Sequence, residues 1–151
     1  MNHIKKFEEY ISRKIVKKTT TNHLRAKDLV EESERDLDFL KELIKKIGVN
    51  DKNANNFIDQ AYNIIMKVLR AKMLLDGFKA SGLAAHEAEV AYTVKLGFSE
   101  KDSAFLDNLR YSRNGISYYG KKFDADYAQE ALNFLHRIYP KLYKIAMENT
   151  S

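Results

Sequence analysis

The chain has 151 residues, with 26 Lys and Arg against 21 Asp and Glu and a formal net charge of +5. A hydrophobic share of 44% beside 31% charged is that of a globular chain and excludes a disordered one, and the length suits one domain with one core. Cysteine is absent, which excludes disulfides, thiolate metal centres, iron–sulfur clusters and cysteine nucleophiles.

One proline and six glycines are too few to turn a sheet-rich chain, so long helices with short connections are predicted. The first runs from Asn2 to about Lys17, with Ile4, Phe7, Ile11 and Ile15 at helical spacing. The polar, β-branched stretch Lys17-Lys18-Thr19-Thr20-Thr21-Asn22 should interrupt it. Residues 1–22 therefore read as an N-terminal helix and linker, and residues 23–151 as the main bundle.

The second helix carries Ala26, Leu29, Val30, Ser33, Leu37, Leu40, Ile44 and Ile47 on one face, an arc of about 100° at 100° per residue. Gly48 closes it. The third begins after Asn50-Asp51, either of which could cap it, and runs from Phe57 to Leu75. It is apolar over more of its circumference than the others and so belongs at the centre. Gly77 to Gly82 should end or kink it.

A shorter fourth helix covers Ala84 to Leu96 and closes at Gly97. Ser99 caps the fifth, with Asp102 three residues on in a capping-box pattern, and its stripe is Phe105, Leu106, Leu109 and Ile116. Asp124 caps the last, whose stripe runs from Ala128 to Ile145 across Pro140. A proline there removes a backbone donor, so a kink or a fresh start is predicted. Asn114-Gly115 ahead of Ile116-Ser117-Tyr118-Tyr119 is a hairpin signal, but with no strand partner in view the stretch stays helical. The fold class is all-α, an up-and-down bundle of four to five helices with a short extra N-terminal helix.

Lys5, Lys6, Glu8 and Glu9 break any signal-peptide core, and no run approaches the ~18 apolar residues of a membrane span. A cytoplasmic protein without membrane contact is expected. A net positive charge permits contact with nucleic acid without establishing it.

Most enzyme signatures are missing. The residues three before His23, His86 and His136 are Thr20, Leu83 and Asn133, so no Glu-x-x-His pair marks a di-iron site. His86-Glu87 begins a zinc-protease pattern but reaches Val90 where the second ligand belongs. No glycine-rich phosphate loop or nucleophile elbow occurs. Neither a metal nor any other cofactor is expected.

Leu109-Arg110-Tyr111-Ser112-Arg113-Asn114-Gly115-Ile116-Ser117-Tyr118-Tyr119-Gly120-Lys121 is the informative stretch. On a helical wheel Arg113 lies about 20° from Leu106, at the edge of the apolar stripe. A guanidinium keeps its proton, so placing one there demands an acidic or phosphate partner. With Asn114 and Tyr118, four apart, it would offer a cation, an amide and a phenol on one helix, a set suited to a phosphodiester. The plainer alternative is an interface arginine snorkelling from the stripe, with Tyr118 and Tyr119 packed on the next helix.

This arrangement, late in a bundle of this length, resembles the HEPN superfamily of prokaryotic helical proteins, over roughly residues 24–146. The family's motif is Arg, usually a polar residue next, then His four to six positions on. Arg113 and Asn114 match its first part. Tyr118 stands where the His belongs, with Tyr119 and Gly120 filling the rest of the window. The resemblance implies a homodimer with two motifs meeting across the interface. It further implies RNA or nucleotide contacts from Arg110, Arg113, Asn114, Tyr118 and Lys121, and a separate nucleotidyltransferase as partner. Full-motif members are metal-independent endoribonucleases, in which the Arg steadies phosphate and the His assists the ribose 2′-hydroxyl.

A phenol, with a reference pKa of about 10, is a poor general base near neutrality. The expectation is thus a catalytically weak or silent binding module, with Arg113 and Tyr118 as the only catalytic candidates in the motif. Two alternatives stand beside it. One is a working ribonuclease toxin in which Tyr118 or a displaced histidine, His86 first, supplies the base. The other is a structural helical adaptor.

Overall fold

A computed structural model describes residues 4–148. Among these, six helices and one two-stranded ribbon occur: α1 (Phe7–Ser12), β1 (Val16–Lys18), α2 (His23–Ile47), α3 (Ala54–Leu75), β2 (Phe78–Ala80), α4 (Ala85–Lys95), α5 (Glu100–Tyr119) and α6 (Ala125–Met147). The fold is an all-α helical bundle. No helix among the described residues is long and apolar enough to cross a membrane.

The central place of α3 follows from its composition. Phe57, Ile58, Ala61, Ile64, Ile65, Val68 and Leu69 are all buried, around more of the helix than a single face, so it packs against both α2 and α6 and also touches α4 and α5. Asn50 and Asn53 lock the loop before it. Asn50 Oδ1 accepts from Asn53 N at 3.0 Å, and Asn53 Oδ1 accepts from Asn50 N at 2.9 Å. The helix thus starts later than Asn50-Asp51 suggests, and Asp51 instead accepts from Ala125 N at 2.8 Å, anchoring the start of α6.

Ser99 Oγ takes the Asp102 amide at 3.1 Å and Asp124 Oδ1 the Tyr127 amide at 2.9 Å, the two caps that the sequence predicts. The Asp102 carboxylate also clamps Arg137 of α6, at 2.8 and 3.1 Å. The Asn114-Gly115 stretch is helical, and Gly120 in the left-handed region closes α5. Pro140 does not divide the last helix, which runs as one element from Ala125 to Met147, so the fresh start does not occur. It sits on the solvent face opposite buried Leu135, Ile138, Tyr139 and Leu142. The carbonyl of His136 that it deprives of a donor lies on an exposed residue, where water can replace the bond.

The N-terminal region departs from the predicted helix to Lys17; Asn2 lies outside the described residues. The helix stops at Ser12 and Lys14 takes a φ of 62°. The β-branched residues that follow then extend into β1, which pairs antiparallel with β2: Val16 opposite Ala80, Lys17 opposite Lys79, Lys18 opposite Phe78. Phe7, Tyr10 and Val16 are buried within the main core. Phe7 sits against the rings of Phe78 and Tyr92, at centroid distances of 5.3 and 4.6 Å. Residues 7–16 thereby contribute to the same core as the bundle.

Candidate functional site

Helix α5 carries the motif residues, and its packing sorts them by depth. Ser112 fixes its rotation, bonding the Asn108 carbonyl at 2.9 Å and meeting the Tyr127 hydroxyl of α6 at 2.7 Å. With that face turned in, Arg113 is half-buried and donates through Nε to Asp59 Oδ1 of α3 at 3.1 Å. Its guanidinium lies 5.9 Å from the Tyr62 ring centroid. An acidic partner for Arg113 is what its wheel position demands.

Arg110 is deeper. It donates to Asp107 Oδ1 at 2.8 Å, both side chains being little exposed, and sits 4.4 Å over the Tyr111 ring. Burial is the largest single influence and opposes its charge, but the bond to and charge of Asp107, with Tyr111 and Glu87, together outweigh it and hold the guanidinium protonated. Asn114 is half-buried beside Arg113.

Tyr118 stands 75% exposed and Tyr119 85% exposed, neither packed on the next helix. Tyr118 lies five residues beyond Arg113, about 140° around the axis, so the phenol faces solvent while the cation faces α3. Lys121 follows on a tethered loop: its carbonyl accepts from Asn55 Nδ2 at 2.8 Å, and Asn55 Oδ1 takes the Phe123 amide at 2.9 Å. Its stem runs along Gly115, and its ammonium sits 5.4 Å from the Phe123 ring.

The inner face of Arg113 leads to His86. Tyr62 of α3, whose ring faces Arg113, places its hydroxyl 3.1 Å from His86 Nδ1. Arg70 Nη2 lies 3.4 Å from His86 Nε2. Arginine only donates, so Nε2 presents its lone pair to Arg70 and the proton sits on Nδ1, toward the Tyr62 oxygen. Burial and then the charges of Arg70, Arg113 and Arg110 hold the His86 pKa below its ordinary value, keeping the ring neutral near pH 7.

Arg70 is itself held by buried Glu89, with Nε at 2.7 Å from Oε2 and Nη2 at 3.1 Å from Oε1. Burial raises the Glu89 pKa despite the guanidinium against it. Asp59, Tyr62, Arg70 and Glu89 escaped the reading of the sequence. The signal was there for Arg70, a permanent cation between Leu69 and Ala71 on the most apolar helix, and the argument applied to Arg113 applies equally to it.

Among the described residues no group of three or more His, Asp and Glu side chains gathers closely enough to hold a metal ion. Comparison with known proteins assigns no family: no family model matches the chain, and no curated protein matches it.

Proposed function

We propose that this chain is a HEPN-type helical module that binds single-stranded RNA or a nucleotide as a homodimer, with weak or no catalysis, alongside a nucleotidyltransferase-type partner in the cytoplasm. The observation that carries the reading is the exposed end of α5. Tyr118 and Tyr119 are two large aromatic side chains in solvent, next to exposed Lys121 and Lys122. Aromatic faces beside cations suit unstacked bases and their phosphates, and each stacked base is worth about 1–3 kcal/mol. Arg113 is available for phosphate because Asp59 engages it through Nε and both side chains are partly open to water.

The test is RNA binding across a salt series. Wild type should bind a short single strand with affinity falling steeply as salt rises. Tyr118→Ser with Tyr119→Ser should weaken it by about tenfold or more, and Arg113→Ala should abolish it with the fold intact. Unchanged binding in both variants would remove the site and leave the helical adaptor.

One observation favours a second reading, the ribonuclease. His86, neutral and joined to Arg113 through Tyr62, supplies the imidazole that the motif lacks. That reading requires cleavage in EDTA with cyclic phosphate ends, lost in both His86→Ala and Arg113→Ala.

A further inference from the structure

A cleft of about 590 Å³ lies between the ribbon, the start of α2, the C-terminal half of α3 and the start of α4. All three residues of β2, Phe78, Lys79 and Ala80, line it, and none of the β1 residues 16–18 does. A cleft over one face of the ribbon would touch both strands. This one lies along the outer edge of β2.

The hydrogen-bond register shows what that edge presents. Thr19 N donates to the Gly77 carbonyl at 2.8 Å, and Ser81 N to the Ile15 carbonyl at 3.0 Å. Bonded positions alternate along an antiparallel pair, so Lys17 and Lys79 turn their amides and carbonyls toward each other. Phe78 and Ala80 turn theirs away from β1, and among the described residues no hydrogen bond engages them. An open edge of this kind is a template for a further strand.

Charge selects the strand. Lys17 stands directly opposite Lys79, and directly opposed residues share a face, so the two like charges weaken the pair. A carboxylate opposite Lys79 on a third strand would offset that repulsion. The cleft adds Arg25 and Arg70, and its one carboxylate, Glu89, is committed to Arg70 by two bonds. A second copy is disfavoured at this edge, because two β2 strands paired about their middle residue set two Lys79 side chains against each other.

We propose that the β2 edge takes an acidic, extended segment of a partner protein as a third, antiparallel strand. The register then dictates the pattern of the segment. Lys79 faces a residue whose own amide and carbonyl point outward, and an aspartate or glutamate there pairs with the ammonium. The residues on either side of it exchange backbone bonds with Phe78 and Ala80. Their side chains turn to the inner face, where Phe78 is half-buried, so apolar residues alternate with the acids. The site stands apart from the α5 surface and does not depend on RNA binding there.

Calorimetric titration of the full chain, at low salt, with a capped peptide of alternating valine and aspartate tests it. That peptide should bind, and one of alternating valine and lysine should not. Methylating the valine amides removes the donors to the Phe78 and Ala80 carbonyls and should abolish binding. Methylating the aspartate amides, which face outward, should leave most of it. Lys79 is exposed, and Lys79→Glu places an acid opposite Lys17, so the ribbon is not weakened. This variant should lose the aspartate peptide by about tenfold or more and take up the lysine peptide instead. Tyr118→Ser with Tyr119→Ser should leave binding unaltered. The proposal is overturned if the aspartate peptide fails to bind at millimolar concentration, if the lysine peptide binds as well, if the two methylated peptides behave alike, or if Lys79→Glu keeps the wild-type preference. Displacement of the peptide by single-stranded RNA, in wild type and the tyrosine variant alike, would make the cleft a groove for polyanions at large and overturns it too.

Discussion

The Tyr62 hydroxyl lies 3.1 Å from His86 Nδ1, and the nearly parallel rings, 16° apart, join the third and fourth helices at the point where three arginines bear on the imidazole. The folded state resists protonation of His86, first through burial and then through Arg70, Arg113 and Arg110. In the unfolded chain the group titrates near its ordinary 6.5. The unfolded state therefore binds more protons once the pH falls below about 6.5, and stability declines from there until the lowered folded pKa is passed. His136, lowered by burial and Lys41, acts in the same direction. Urea unfolding at pH 7.5 and 5.5 should show wild type losing stability at the lower pH, and His86→Gln losing less. Equal losses would mean that His86 is not the group responsible.

Arg113 and Asp59 make a pair whose value lies in competition rather than in stability. Both are partly exposed, so the bond contributes at most about 1 kcal/mol. If phosphate binds Arg113, the Asp59 carboxylate is the rival anion. Asp59→Asn keeps the shape and removes the charge, and it should raise RNA affinity severalfold at low salt while unfolding within about 1 kcal/mol of wild type. A fall in affinity would assign Asp59 the opposite task, orienting the guanidinium for its ligand.

The helices were legible because each is long enough to repeat its apolar period several times, and their ends because Ser99, Asp124, Gly48 and Gly97 are local signals. The ribbon was not. Val16-Lys17-Lys18 and Phe78-Lys79-Ala80 are three residues each, too short to display a period of two, and partners some 60 residues apart announce nothing to one another. The same limit governs the site. The position of Arg113 showed that it needs an acid but not that Asp59 supplies it. Four-residue spacing allied Tyr118 with Asn114, yet only packing decides which of the two faces water. His86 entered as a histidine on a separate helix; its approach to Arg113 through Tyr62 depends on how α3 and α4 pack.

Two glycines should respond oppositely to the same substitution. Gly77 has a φ of 83°, and a Cβ there would meet the Thr19 backbone oxygen at 3.0 Å, just where the Thr19 amide bonds the Gly77 carbonyl at 2.8 Å. Gly77→Ala should cost about 1–3 kcal/mol and loosen the ribbon. Gly115 lies inside α5, where a Cβ would meet only the stem of Lys121, at 3.4 Å or more. Alanine removes glycine's backbone-entropy cost in a helix, so Gly115→Ala should be neutral or stabilising by up to about 1 kcal/mol. Denaturant midpoints of the two variants settle both signs.

Lys72 is the deepest lysine of α3, 6% exposed, and its ammonium depends on Asp76, one turn on, at 2.9 Å. Asp76 also accepts from the Tyr92 hydroxyl, and burial followed by that contact pushes the Tyr92 phenol pKa up. One carboxylate thus satisfies a buried cation and a buried phenol while joining α3 to α4 behind the ribbon. Removing it strands both, and the loss of one partner from a buried pair typically costs about 3–5 kcal/mol; Asp76 is partly exposed, so Asp76→Ala should fall near about 3 kcal/mol. Lys72→Met with Asp76→Ala removes the stranded charge and should recover a good part of that loss. A double variant no more stable than Asp76→Ala alone would shift the weight of the carboxylate from Lys72 to Tyr92, and Tyr92→Phe would then reproduce most of the loss.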